Sequence, residues 1–242
     1  GTGQLGRDLV GRLIVDGWQV RVLSRKPGSD PRVSWVLGDL ATGEGLSVGL
    51  AGATHVVHAA TNSPIAQRGS IRLADLRDSP TDVEIDGTRH LLDAVRRADI
   101  EHFVFVSIVG LEDSSLPYSK VKLAAEAAIR SSRLPWSVVR ATPFFYLVER
   151  MLDGLHRWPV WPLPGTAFQP VDTRDVAGHL VQCLGGDDRG LLPEIGGPEI
   201  TSYAAMARAH LHARGKKRAV LSLPLPARLA RQGGLVVAQG VR

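Results

Sequence analysis

The chain has 242 residues, 44% of them hydrophobic, with 29 Lys and Arg, 24 Asp and Glu, a single cysteine and a net charge of +5. That suits one α/β domain with a sizeable core and a modest C-terminal extension, and no apolar run of about eighteen residues or charged-then-apolar start signals a membrane span or a secretory leader. Cys183 alone excludes an internal disulfide and argues against a thiolate metal site, so a reducing cytoplasm is the expected location.

The chain opens on Gly1-Thr2-Gly3-Gln4-Leu5-Gly6, a literal G-x-G-x-x-G, followed by a helix expected over 4–16 and stopped by Gly17. Glycines let the backbone approach a pyrophosphate, and a helix N-terminus offers free N–H groups and a favourable dipole to the anion. Such a turn is normally fed by the central strand of a doubly wound sheet, so the first strand is expected to lie before Gly1, and no stop signal follows 235–238 either. Strands are expected next over 19–24 and 33–38. The first ends in Ser24-Arg25-Lys26, where an NAD site would place an acid for the ribose 2′-OH. Two cations there favour a 2′-phosphate, hence NADP, because Arg clamps phosphate bidentately.

A strand over 54–60 ends at Ala59 and Ala60, with Thr61 following. A helix over 82–97 puts Leu91, Leu92 and Val95 on one side, and a strand over 102–107 ends at Ser107. The helix expected over 118–131 sets Tyr118 and Lys122 four apart, on one face. A nearby ammonium favours phenolate, which would lower the Tyr118 pKa and let it pass a proton to a substrate oxygen. A fifth strand is expected over 136–140. Strands alternating with helices in this way give an α/β, Rossmann-type doubly wound parallel sheet.

From about Phe144 the alternation loosens and Pro becomes frequent. Residues 1–143 read as the NAD(P)-binding portion, and 144–242 as a small C-terminal substrate-side subdomain interleaved with it. There Asp172 and Asp175 are read as caps of a helix from Val176, and Thr201 as the cap of another, followed by a strand over 219–223. Residues 201–242 carry eight Arg and Lys and no acid, leaving 21 basic against 24 acidic residues, a net −3, in the first 200. This segment is read as a solvated face. It lacks the aromatic platform or motif of a nucleic-acid binder, and His58, His210 and His212 lack metal-ligand spacing.

With the glycine turn, Arg25, Gly38-Asp39-Leu40 and Tyr118-Ser119-Lys120-Val121-Lys122 in place, the sequence resembles the atypical short-chain dehydrogenase/reductases, particularly NmrA-like NAD(P)-binding proteins. The resemblance implies that Thr2, Gly3 and Gly6 belong to the family's glycine signature, whose opening Thr-Gly would precede Gly1. It further implies that Asp39 and Leu40 border the adenine, that Ala59, Ala60 and Thr61 pass the ribose and phosphates, and that Lys122 also holds the nicotinamide ribose. The stretch 86–92 is similar to a long central helix that often helps form homodimers. Thr142 would contact the carboxamide, and Phe144 and Phe145 would wall the substrate pocket. The family's carbonyl-polarising Ser usually follows Ser107, where Ile108 and Val109 stand, leaving Ser107, Ser114 or Ser115 to substitute. The expected function is an NADP-dependent reductase of a small carbonyl, quinone or similar acceptor. The alternative is an NAD(P)-binding redox sensor that engages a protein partner without turnover.

Overall fold

The computed structural model describes residues 1–63, 77, 79–224 and 226. Helix α1 (Gln4–Val15) starts on Gly3 and buries Leu5, Leu9 and Leu13, whose spacing of four makes one apolar stripe. Strand β1 (Val20–Ser24) lies parallel to β2 (Val33–Leu37). A short α2 (Leu46–Leu50) leads to β3 (His55–His58). Later a π-helical turn, Asp82–Gly87, runs into α3 (Thr88–Val95), followed by β4 (His102–Ile108), α4 (Pro117–Arg130) and β5 (Trp136–Ala141).

The remaining elements are α5 (Phe145–Gly154), β6 (Val160–Pro164), β7 (Ala167–Phe168), α6 (Thr173–Gly185), β8 (Gly190–Leu191), β9 (Thr201–Ser202), α7 (Tyr203–Ala213) and β10 (Ala219–Leu223). The main sheet has the order β3-β4-β5-β8, all parallel. Its central strands β4 and β5 are buried on both faces, as a parallel sheet between helices requires. Val104, Val106, Val139 and Ala141 cluster with the apolar stripes of α1 and α6, and Phe103, Phe105 and Val138 cluster with those of α3 and α4. The expected α/β fold with a parallel sheet is therefore present, and the five expected strands lie within two residues of their expected ends. The β1-β2 pair and β3-β4-β5-β8 are separate ladders among the described residues, joined through the shared core of Val22 and Val33 with Val104 and Val139.

Two caps are shifted from their expected places. Thr201 pairs with Phe168, so Ser202 caps α7, its Oγ accepting from the Ala205 N–H at 3.2 Å. Helix α6 begins at Thr173, three residues before Val176. Asp172 caps it by accepting from the Arg174 N–H at 2.8 Å, and Asp175 lies in its first turn.

Helices α5 and α7 with β6, β7 and β10 enclose a separate core of Val148, Leu152, Trp161, Leu163, Phe168, Tyr203, Ala207 and Leu211. Helix α6 and β8 instead return to the first core, α6 against α1 and β8 against β5. Arg228, Arg231 and Arg242 of the basic segment, and the stretch 235–238, lie outside the described residues.

Candidate functional site

The glycine turn and α1 form one unit. A Cβ on Gly6 would meet the carbonyl carbon and oxygen of Gly1 at 2.7 Å, so only glycine lets the helix start this close to the chain before it. A Cβ on Gly3 would meet nothing within 4 Å, and no side chain caps the first turn of α1. Thr2 is exposed, its carbonyl accepting from Arg7 Nη1 at 2.8 Å. The Gln4 side chain is engaged with Arg7 and Asp8, and the Leu5 side chain is in the core, so both offer a ligand mainly backbone. Arg25 and Lys26 are exposed at the end of β1 with no side-chain partner among the described residues. Asp39 builds its own turn, its carboxylate accepting from the Ala41 N–H at 2.9 Å, while Leu40 packs against Gly87.

On the other side of β3, Ala59 is half-buried and Ala60 and Thr61 are exposed. Thr61 Oγ1 lies 2.8 Å from the Tyr118 hydroxyl and donates to Glu84 Oε1 at 2.6 Å, so the loop after β3, the π-helical turn and α4 meet at one point. Lys122, one helical turn beyond Tyr118, is 3% exposed. Its Nζ donates to the Val106 carbonyl at 3.3 Å and sits 4.7 Å above the Phe105 ring. Burial lowers the Lys122 pKa, with Glu84 and Glu126 opposing.

The expectation that Lys122 lowers the Tyr118 pKa is overturned. Tyr118 is pushed up from its ordinary value chiefly by burial and then by the Glu84 carboxylate. Lys122 turns inward to β4 instead of toward the phenol. Tyr146 also acts on Tyr118 and itself feels the charges of Arg150 and Arg7, which brings the start of α1 within electrostatic reach of the start of α4.

Ser107 Oγ and Thr142 Oγ1 are buried without hydrogen-bond partners among the described residues. Ser114 Oγ accepts from Ser119 Oγ at 2.7 Å and from the Leu116 N–H, which shapes the entry to α4. Phe144 is half-buried and stacks on Tyr146 with ring centroids 5.9 Å apart, whereas Phe145 is exposed. Arg140 Nη2 bridges Glu126 Oε2 and Glu112 Oε1, each at 2.7 Å, tying β5 to α4 and to the loop after β4. Sequence reasoning missed Glu84, Glu126 and Tyr146. Glu84 falls in step with Thr88, Leu91 and Val95, and Glu126 with Lys122 and Ile129. An acid on an otherwise buried helical face is the signal that could have found both.

His58, 3% exposed, shares a hydrogen bond of 2.9 Å with Thr88 Oγ1, and burial aided by the Lys122 charge lowers its pKa to about 3. An unfolded histidine titrates near ~6.5. The unfolded chain therefore binds a proton that the folded one refuses, so this contribution to stability is full above about pH 6.5 and is lost as pH falls toward 3. Urea unfolding at about pH 7 and about pH 5 measures the loss. His58→Asn, which does not titrate, should flatten the pH dependence, and an unchanged slope would remove His58 as its source. Among the described residues no three His, Cys, Asp or Glu gather as a metal site, and no helix is long and apolar enough to cross a membrane.

Residues 1–148 match a protein family described as NAD(P)H-binding. The chain belongs to the NAD(P)H-binding family. Its fold is that of the short-chain dehydrogenase/reductases. A superfamily protein of that name from Agrobacterium tumefaciens, solved with bound NAD, superposes with a TM-score of 0.73 over 99% of this chain and 90% of its own, at 20% identity. The ceramide reductase of Caulobacter vibrioides is 30% identical over 93% of this chain and 72% of its own length. The photosystem II assembly factor Ycf39 of Trieres chinensis is 30% identical over 76% of this chain, and the match spans 57% of the relative's length.

The residues present fit the dinucleotide that defines an NAD(P)H-binding chain. The open space beside Gly3 adjoins the uncapped N-terminus of α1, and Thr142 brings an unpartnered buried hydroxyl from the end of β5.

Proposed function

We propose that the chain is an NADP(H)-dependent reductase of a small carbonyl, quinone or similar acceptor, with Tyr118 as its proton donor. The observation that supports this most is the half-buried Tyr118 hydroxyl, held by Thr61 of the loop after β3 and kept protonated. Bound NADPH supplies the hydride. The turn from Gly1 to Gly6, with the first N–H groups of α1, holds the pyrophosphate, and Arg25 and Lys26 take the 2′-phosphate. Asp39 and Leu40 flank the adenine, and Ala59, Ala60 and Thr61 line the path of the ribose and phosphates. Lys122 binds the nicotinamide ribose, and Thr142 meets the carboxamide. Tyr118 gives its proton to the substrate oxygen, a role worth roughly 10²- to 10⁴-fold in rate. The Caulobacter relative, named for a reductase, adds support to the reaction class.

NADPH oxidation with panels of aldehydes, ketones and quinones tests the reading, and tight binding of NADPH without turnover of any acceptor would overturn it. That outcome belongs to a second reading, an NAD(P)-binding regulator. Ile108 and Val109, which offer no hydroxyl where the extended family's Ser usually stands, favour it. Cofactor choice is tested separately by calorimetry. NADPH should bind more tightly than NADH, and Arg25→Ala should reduce the preference by roughly 10- to 100-fold, the worth of charge-assisted hydrogen bonds to a phosphate. Equal affinities in the parent protein would remove the NADP assignment.

A further inference from the structure

Glu84 is 1% exposed. Its Oε1 accepts from Thr61 Oγ1 at 2.6 Å and from the Asn62 N–H at 2.8 Å, and its Oε2 has no hydrogen-bond partner among the described residues. An ionised carboxylate only accepts hydrogen bonds, so the single Thr61 proton is committed to Glu84 and the Thr61 oxygen accepts from Tyr118. The donors run from Tyr118 to Thr61 to Glu84, and the line ends on a negative charge. Around Glu84 stand Tyr118 and Lys122 from α4, His58 through Thr88, and Asp82 and Asp86 on its own turn, the last paired with Arg89 of α3 at 3.7 Å.

The geometry points to Glu84 as the positioning residue of Tyr118: through Thr61 it aims the hydroxyl and holds it as a neutral phenol, biasing the site toward donating a proton over accepting one. The inference rests on the reading of Tyr118 as the reductase's acid. A carboxylate two hydrogen bonds away disfavours phenolate and an ammonium favours it, and both effects are strong in a low dielectric. Glu84 is connected to the phenol by hydrogen bonds, whereas Lys122 is directed at Val106 and Phe105, and Glu84 is second only to burial in pushing Tyr118 up. In the forward step the Tyr118 O–H bond breaks, the proton goes to the substrate oxygen, and the phenolate regains a proton from solvent. The reverse step, alcohol oxidation, needs the phenolate as base and is held back until the medium is strongly alkaline.

The test uses the cofactor-free protein first. Phenolate absorbance of the parent minus that of Tyr118→Phe isolates this tyrosine, and its ionisation is expected only above the ordinary tyrosine value of about 10. Glu84→Gln keeps an acceptor for Thr61 and Asn62 but removes the charge, so Tyr118 should ionise at least about one pH unit lower. Thr61→Val keeps the charge but cuts the line and removes the acceptor that holds the phenol's proton, so Tyr118 should again ionise at lower pH. If Glu84→Gln fails to fold by circular dichroism, the Thr61→Val arm still decides. In turnover, the alkaline fall of kcat for carbonyl reduction should move to lower pH in Glu84→Gln, with KM for NADPH unchanged. A Tyr118 ionisation unmoved by Glu84→Gln, or raised by Thr61→Val, overturns the role given to Glu84. Carbonyl turnover unaffected by Tyr118→Phe overturns the reductase reading instead, and leaves the absorbance result standing.

Discussion

Tyr118→Phe is expected to lower turnover of a ketone or aldehyde by roughly 10²- to 10⁴-fold while leaving NADPH affinity nearly unchanged, because the change removes the transferable proton and keeps the ring. Packing should survive, since the hydroxyl's hydrogen bond is to Thr61, which keeps its bond to Glu84 in the variant. Single-turnover kinetics with NADPH and a fixed aldehyde separate the chemical step from cofactor binding. A quinone acceptor needs no enzymic acid and should be far less affected, so the ratio of the two losses is itself diagnostic. Equal and small losses with both acceptors would remove Tyr118 from the chemistry.

Arg140→Met should cost about 3–5 kcal/mol of stability, the usual consequence of leaving one member of a buried ion pair without its partner. Arg140 is 5% exposed and Glu126 2%, and the guanidinium meets Glu126 through Nε at 3.0 Å and Nη2 at 2.7 Å. Glu112, mostly exposed, adds a second carboxylate whose pKa burial pushes up and Arg140 holds below its ordinary value. Urea unfolding reads the loss. Pairing Arg140→Met with Glu126→Leu should restore most of it, because a matched apolar pair leaves no orphan charge. A single variant as stable as the parent would show that the triad contributes nothing to stability. A double variant no better than the single would place the loss in packing instead of charge.

The first half of the fold was legible because its strands are short apolar runs between turn residues, most plainly 102–108, His-Phe-Val-Phe-Val-Ser-Ile, which is buried on both faces. The second half was less so. Strand β6 carries Pro162 and Pro164, which remove ladder donors, and it exists because β10, far away in sequence, pairs with it. Strands of two residues, such as β8, leave no period to detect.

At the site, the spacing of Tyr118 and Lys122 was visible, but the sign of the electrostatics was not. A helix read alone knows only its own neighbours, and the charge that acts on the phenol comes from Glu84, carried there by tertiary folding across a loop and a π-helical turn. Thr61 was expected on the cofactor's path. Its second role, as the bridge to Tyr118, depends on a distance that sequence does not hold.

The return of α6 and β8 to the first core bears on how such a chain can be recombined. Val176, Ala177, Leu180, Val181 and Leu184 pack with Leu5, Leu9 and Leu13, so a graft that replaced everything after Phe144 would strip the nucleotide half of one wall. The transferable cassette is smaller: α5, β6, β7, α7 and β10 around their own core, wrapped about an α6 and β8 that stay with the host. Such a cassette could be exchanged between relatives by two insertions, one before α6 and one after β8, with the first core unbroken.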